Sequence, residues 1–431
     1  MLKKLASAVA FAVLLQTPAV AGPAAEVARS ALYEGAFDVG RATLSPLADA
    51  GDQEARFGLG LITLVETIEG FAQALHRHGL ASPDMGEMGP AVMVPVPVNP
   101  DPEPLDYAKV RAVLQSLVDG MDAARDLLGA AGESGDYVVE IDPLRIRIDT
   151  DGDGSAEATE TIEHIFDQAL GVSGRPEAAP MPPGRDGRGS GPAGRPGADA
   201  PAQGFVIGLD RADAFWLAGY SQVMAAQAEF LLAHDFEIFV NATFHRLFPR
   251  AGLPMQDYAE GGMLVLDPET DTAIADAIAA IHTLNWPVVE PERLRRVRER
   301  SLAVIALSRS NWDALLAETD DNRELIPNPR QSGLVPEARV TEETVAAWMQ
   351  TLHAVEQILN GELLVPHWRF RQGFDLRAYF ETAERTDLVM LLTGHDAVPY
   401  LRDGPVATGD TFEAANRVFG DDFLGYVFWF N

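Results

Sequence analysis

The chain has 431 residues, of which 47% are hydrophobic, and a formal net charge of −31. It is long enough for roughly two or three domains with apolar cores. It contains no cysteine, which excludes disulfide bonds, thiol chemistry, iron–sulfur clusters and a lipid anchor on cysteine. The strong negative charge disfavours nucleic acid and anionic lipid surfaces as partners.

The first residues predict a secretory signal peptide over residues 1–21. Lys3 and Lys4 form a basic start, a nearly continuous apolar run follows, and Ala19 and Ala21 suit a cleavage site. The run is too short to cross a bilayer, which needs about 20 apolar residues. We expect cleavage after Ala21 and a periplasmic location in a Gram-negative cell, with secretion to the medium as the alternative. No later stretch is predicted to span a membrane.

The spacing of apolar residues predicts a helical region over residues 22–131. Its helices are expected over residues 26–37, 39–50, 53–78 and 105–131. Residues 35–60, with small Ala and Gly where paired helices approach closely, resemble a single repeat of the Sel1 or TPR type. A solenoid needs at least about three repeats, so an ordinary helical hairpin is the favoured interpretation.

Residues 132–172 are predicted to form a β-hairpin, an acidic loop and a helix. The hairpin is expected from two short apolar stretches, 137–141 and 144–148, the second of which alternates apolar and charged residues. Helical spacing returns over residues 161–170. The acidic loop lies between these elements, so a strand rather than a helix is predicted to precede it.

The acidic loop, residues 149–160, has the residue types that suit Ca²⁺. Asp149, Asp151 and Asp153 alternate along it, Gly154 permits a sharp turn, and Glu160 ends it. This order resembles EF-hand-like calcium loops, which carry acids at positions 1, 3, 5 and 12 and glycine at position 6. The resemblance implies a metal site with these ligands: Asp149, Asp151, Asp153, the carbonyl of Ser155, Glu157 through water, and Glu160 in bidentate fashion.

The acidic loop departs from the EF-hand pattern at two positions. Ala156 stands where a branched apolar residue usually pairs one loop with another, and Thr161 stands where an apolar residue usually follows the loop. The resemblance therefore implies an unpaired strand–loop–helix calcium site with a structural role. The alternative is an acidic, Gly-rich turn without an ion, in which crowded carboxylates would repel one another.

Residues 173–204 are rich in Gly, Pro, Ala and Arg, which predicts a disordered linker. Residues 205–431 are predicted to form a mainly helical C-terminal domain that begins with a short strand at 205–209. Its helices are expected over residues 211–233, 235–248, 271–284, 290–317 and 341–360. Two apolar runs, 387–392 and 423–430, have the length of strands, although a buried helix is also compatible with them.

Other groups of acids and histidines were weighed as second sites. Glu66, Glu69, Gln73 and His76 share one face of the predicted helix 53–78, as in a bundle metal site, but a solvated helix face is more common. A metal-dependent periplasmic enzyme would have to gather such residues in one pocket. The candidate residues for such a pocket are Glu66, Glu69, His76, His234, His245 and His353.

The sequence thus predicts a mainly α fold, with helical domains, a small β-hairpin that leads into a calcium loop, and a few short strands in the C-terminal half. The predicted function is that of an exported calcium-binding protein with a binding or scaffolding role. The alternative is a periplasmic metal-dependent enzyme with a helical Glu/His site. Ca²⁺ is the predicted ligand, and the class of any protein partner stays open.

Overall fold

The computed structural model describes residues 22–81, 96–170, 205–255, 268–321, 323–333 and 340–419. Over these residues the protein is mainly helical with a few short strands, which confirms the predicted fold class. The predicted signal peptide, the predicted linker and the apolar run at 423–430 lie outside the described residues, so these predictions stay predictions.

The helices are α1 (Pro23–Glu34), α2 (Phe37–Asp49), α3 (Gln53–Arg77), α4 (Tyr107–Gly132), α5 (Ile162–Leu170), α6 (Arg211–Leu232), α7 (Glu237–Thr243), α8 (Pro268–Thr283), α9 (Pro291–Ala317), α10 (Glu342–Leu359), α11 (Leu376–Thr382), α12 (Leu388–Thr393) and α13 (Glu413–Phe419). The strands are β1 (Val139–Ile141), β2 (Ile207–Leu209), β3 (Asn285–Pro287), β4 (Gly373–Phe374), β5 (Arg385–Asp387) and β6 (Leu401–Arg402). They pair antiparallel as β1 with β2, β3 with β5, and β4 with β6.

Aspartate side chains begin several of the long helices. The carboxylates of Asp52, Asp106 and Asp210 accept hydrogen bonds from backbone N–H groups in the first turns of α3, α4 and α6. Such caps satisfy donors that have no partner within the helix. The helices α3 and α9 begin and end within one residue of the predicted bounds.

The largest apolar core lies among α1, α2, α3, α4, β1, β2 and α6. Phe57, Ile62, Met121 and Leu128 are fully buried in it. Because α6 contributes to this core, residues on both sides of the predicted linker share one hydrophobic interior. A second core surrounds Trp312 of α9 and involves α10 and α13. The predicted domain boundaries stay a prediction.

Charged side chains connect α4, α6 and α9. Arg300 of α9 donates to both oxygens of Asp122 on α4, at 2.6 and 2.8 Å. Glu229 of α6, only 2% exposed, accepts from Arg293 at 2.9 Å and from Arg296 at 3.0 Å. These pairings with opposite charges offset the free-energy cost of removing the buried charges from water.

The predicted hairpin is wrong in its second strand. β1 pairs with β2, so that Val139 faces Leu209 and Ile141 faces Ile207. The chain turns away directly after β1 because Asp142 accepts a hydrogen bond from the N–H of Leu144 in a 3₁₀ turn that begins at Pro143. The predicted short strand at 205–209 is confirmed, whereas the apolar run at 387–392 forms most of helix α12.

Helix α3 is the one helix among the described residues that is long and apolar enough to cross a membrane. Its mean hydropathy reaches 1.2 over an 18-residue window. A core helix passes the same test, and Phe57 and Ile62 of α3 are fully buried within the protein. The expectation that no segment after the signal peptide spans a membrane therefore stays a prediction.

Candidate metal centre

The two ends of the acidic loop 149–160 are held side by side. Ile148 donates its N–H to the carbonyl of Glu160 at 3.0 Å, and Ile162 donates to the carbonyl of Ile146 at 2.9 Å. Ile146 and Ile148 are buried in the largest core, while the loop that follows them is mostly exposed. Ile146 and Ile148, whose alternation with charged residues predicts a strand, therefore anchor the loop on the core. Helix α5 follows the other end of the loop.

The structure brings together three of the six predicted ligands. One carboxylate oxygen from each of Asp149, Asp151 and Asp153 lies within 4.8 Å of the other two. Oxygen atoms on opposite sides of one Ca²⁺ ion are about 5 Å apart, because each Ca–O distance is about 2.3–2.6 Å. The three oxygens are therefore close enough together to bind a single ion.

Backbone N–H groups hold these carboxylates in place. Asp149 accepts from Gly152 at 2.7 Å through Oδ1 and from Gly154 at 3.0 Å through Oδ2. Both glycines have positive φ, 75° and 91°, which residues with a Cβ rarely adopt. Asp153 accepts in turn from the N–H of Ser155 at 2.8 Å. Gly154, which the pattern requires, and Gly152 thus wrap the chain around the side chain of Asp149.

Glu160 is not part of the cluster of three aspartates. Its carboxylate forms hydrogen bonds across the loop. Its Oε1 accepts from the N–H of Thr150 at 2.9 Å and from the hydroxyl of Thr150 at 2.8 Å. Its Oε2 accepts from the N–H of Glu157 at 3.0 Å. These bonds close the loop upon itself. The ligand roles of all six residues, Asp149, Asp151, Asp153, Ser155, Glu157 and Glu160, stay predictions.

Helix α3 contributes two contacts that a local pattern cannot reveal. Oε2 of Glu69 accepts from the N–H of Asp149 at 2.7 Å, and Nε2 of Gln73 donates to the carbonyl of Asp149 at 2.9 Å. Burial raises the pKa of Glu69 to about 7; the charges of Asp149 and Glu160 also raise it, and the hydrogen bond from Asp149 lowers it. The sequence had put both side chains on a candidate metal-binding face of their helix.

The other acids and histidines considered for a second site have separate surroundings. Glu66 forms an ion pair with Arg41 of α2. His353 lies beside Glu356, 3.9 Å away. His234 contacts Thr386 at 2.7 Å and the carbonyl of Phe230 at 2.6 Å, and His245 contacts Asp276 at 3.1 Å. The helical Glu/His enzyme site therefore has no support among these contacts.

A second carboxylate group was missed by the sequence reasoning. Asp210 at the start of α6, Glu318 just after α9 and Glu324 place carboxylate oxygens within 4.8 Å of one another. Burial, with the negative charge of Asp210, raises the pKa of Glu318 to about 9. Gln331 donates to Glu318 at 3.0 Å. The raised pKa favours a protonated carboxyl group in this cluster at neutral pH.

The chain was also compared with known proteins. No protein-family model matches it, and neither a curated protein nor a solved structure matches it. Among the described residues, the two carboxylate groups above are the clusters that could hold a metal ion. Of the two clusters, the acidic loop has exposed carboxylates, those of Asp151 and Asp153, and a turn geometry that suits an ion from solution. Its chemistry is therefore the strongest guide to function.

Proposed function

We propose that this chain is an exported, calcium-binding, mainly helical protein of the periplasm, with a binding or scaffolding role. The observation that carries the proposal is the convergence of Asp149, Asp151 and Asp153, whose carboxylate oxygens lie within 4.8 Å of one another. Three negative charges this close repel one another, and a bound cation offsets that repulsion. The proposed compartment follows from the signal-peptide pattern of residues 1–21.

The donor set favours Ca²⁺ over other metals. The loop contains only oxygen donors, whereas zinc and copper prefer imidazole or thiolate ligands. Ca²⁺ accepts about 6–8 oxygens in flexible geometry, while Mg²⁺ demands a near-ideal octahedron at about 2.0–2.1 Å. The carbonyl of Ser155, Glu157 and Glu160 would complete the larger coordination shell. We expect Mg²⁺ to compete poorly.

A structural role fits the loop better than a sensor role. Its turns are held by its own backbone N–H groups, and its first residue is bonded to α3. A loop ordered in this way has little conformational change to transmit. We expect a Kd of about 10⁻⁴–10⁻³ M, the range of extracellular calcium modules.

Calorimetric titration of the metal-stripped mature chain with CaCl₂ tests the proposal. The wild-type chain is expected to give a binding heat, and Ca²⁺ at about 100 times Kd is expected to raise stability by about 2.7 kcal/mol. Asp149→Ala should abolish both effects. Asp136→Ala, which removes an exposed acid outside the loop, serves as the matched control. The proposal fails if the wild type gives no heat up to millimolar Ca²⁺ and EDTA leaves its melting curve unchanged.

A further inference from the structure

The acidic loop lies against the first helices of the protein at three points. Before the loop, Arg147 donates its N–H to the carbonyl of Leu32 on α1 at 3.0 Å. At the start of the loop, Asp149 is bonded to α3. In its second half, Ala156 packs against Gly35, which follows α1. The loop is therefore held against α1 and α3 just before it begins, at its first residue and at Ala156.

Both peptide groups of Asp149 are held by one face of α3. Glu69 accepts from its N–H and Gln73 donates to its carbonyl, and these side chains are four residues apart on the helix. The side chain of Gln73 also covers Gly152, since a Cβ built on that glycine would lie 3.7 Å from Cγ and Cδ of Gln73. Asp149 itself is only 8% exposed. Its orientation thus depends on two side chains some 80 residues earlier in the chain.

The residue at position 8 of the loop, Ala156, is in close contact with Gly35. A Cβ added to Gly35 would lie 2.4 Å from the Cβ of Ala156. The side chain of Ala156 therefore occupies the space that a side chain at position 35 would need. In paired calcium loops this position faces a second loop, whereas here it faces the turn between α1 and α2.

We propose, on the premise that the loop binds calcium, that α1 and α3 take the place of a partner loop. Glu69 and Gln73 are the positioning residues: they orient Asp149 and thereby set the affinity of the loop for Ca²⁺. A residue held before the ion arrives loses less freedom on binding, which favours affinity. Because coupling between binding and packing is reciprocal, Ca²⁺ in turn stabilises α3 against local opening.

Calcium titration of four full-length, metal-stripped variants tests the positioning role. Glu69→Ala and Gln73→Ala each remove one bond to Asp149, and we expect the Kd for Ca²⁺ to rise about tenfold or more, as for lost outer-shell partners of metal ligands. Glu69→Gln keeps an acceptor for the N–H of Asp149 and is expected to stay close to wild type. Glu66→Ala removes a carboxylate from the same helix that pairs with Arg41, and it serves as the control.

Melting curves in EDTA show which variants remain folded at the titration temperature, and hydrogen exchange supplies a second measurement. In the wild type, Ca²⁺ is expected to slow exchange of the α3 amides near Glu69 and Gln73. This protection should be lost in Asp149→Ala. Equal exchange in the wild type with and without saturating Ca²⁺ overturns the coupling to α3.

The outcomes separate the two proposals. An unchanged Kd in both Glu69→Ala and Gln73→Ala, beside a clear wild-type heat, overturns the positioning role alone. An equally raised Kd in Glu69→Gln and Glu69→Ala also overturns the positioning role alone. The charge of Glu69, and not its hydrogen bond to Asp149, would then set the affinity for Ca²⁺. A wild-type chain that gives no calcium heat overturns the proposed function and the positioning role together.

Discussion

Glu318 and Asp210, two acids more than 100 residues apart in the chain, place carboxylate oxygens within 4.8 Å of one another. Glu318 follows the last residue of α9, and Asp210 caps the first turn of α6. Burial raises the pKa of Asp210 and of the neighbouring Asp213, and it raises the pKa of Glu318 to about 9. A raised pKa favours the protonated form, which reduces the repulsion between these acids at the end of α9 and the start of α6.

This pairing predicts a pH dependence of stability. Glu318 ionises near its ordinary pKa of 4.5 in the unfolded chain and near 9 in the folded protein, so the folded state binds more protons between these values. Its contribution to stability is complete below about pH 4.5 and is lost as the pH rises through about 9. In denaturant titrations from pH 5 to pH 9, the free energy of unfolding should fall less steeply for Glu318→Gln than for the wild type.

Glu362→Gln is the control for this prediction, since Glu362 is an exposed acid and its neutralisation removes the same charge. Its unfolding free energy should follow the wild-type pH profile. Parallel profiles for Glu318→Gln and the wild type would show that the carboxyl cluster ionises as it does in water.

The charge network of α4, α6 and α9 predicts a large cost for removing its central acid. Glu229→Gln leaves Arg293 and Arg296 without their buried counter-charge. We expect a loss of about 3 kcal/mol in unfolding free energy, the lower end of the cost of leaving a buried charge unpaired, since Arg296 is partly exposed. Urea titration measures this loss.

Glu413→Gln provides the comparison, because Glu413 pairs with Arg417 on an exposed helix face. Exposed pairs of this kind contribute little to stability. Equal losses for the two variants would contradict a special contribution from Glu229.

The contact between Gly35 and Ala156 predicts a costly glycine substitution. Gly35→Ala combines a left-handed φ of 66° with a Cβ that overlaps Ala156. We expect a loss of about 2–5 kcal/mol, the sum of about 1–2 for the conformation and about 1–3 for overpacking. Gly51→Ala is the matched control, because Gly51 also has positive φ but an added Cβ there meets no atom within 4 Å. Similar losses of stability at both positions would show that the loop can shift away from Gly35 to make room for the added Cβ.

The proposed export predicts a defined N-terminus. Mature protein isolated from the periplasm should begin at Gly22, which intact-mass measurement can read directly. The spheroplast fraction of the same cells is the control for incomplete processing. Protein that retains Met1 in all fractions would remove the basis for the proposed compartment.

Local pattern was sufficient for long helices such as α3 and α9 and for the aspartates of the loop. Apolar spacing located α3, and alternate acids with Gly154 located the carboxylates that converge. Both are properties of neighbouring residues. The partner of β1 could not be found in this way, because Ile207 lies 66 residues after Ile141 and the nearer apolar stretch was the obvious choice.

The same limit applies to the surroundings of the site. Glu69 looked like part of a helical metal site because its neighbours on the helix were the only information available. Its bond to Asp149 depends on how α3 packs beneath the loop. The cluster of Asp210, Glu318 and Glu324 likewise exists only once the end of α9 meets the start of α6. Contacts between distant segments are a product of tertiary packing and leave no periodic trace in the sequence.

The antiparallel pair of β1 and β2 bears on how the chain reaches its native state. β1 is synthesised first, and its N–H and C=O groups lack the partner of this pair until Ile207–Leu209 follow. Unpaired edge strands are templates for aggregation. A chain that ends before residue 207 therefore leaves Val139 and Ile141 on an open strand edge, with which the backbone of a second chain can pair.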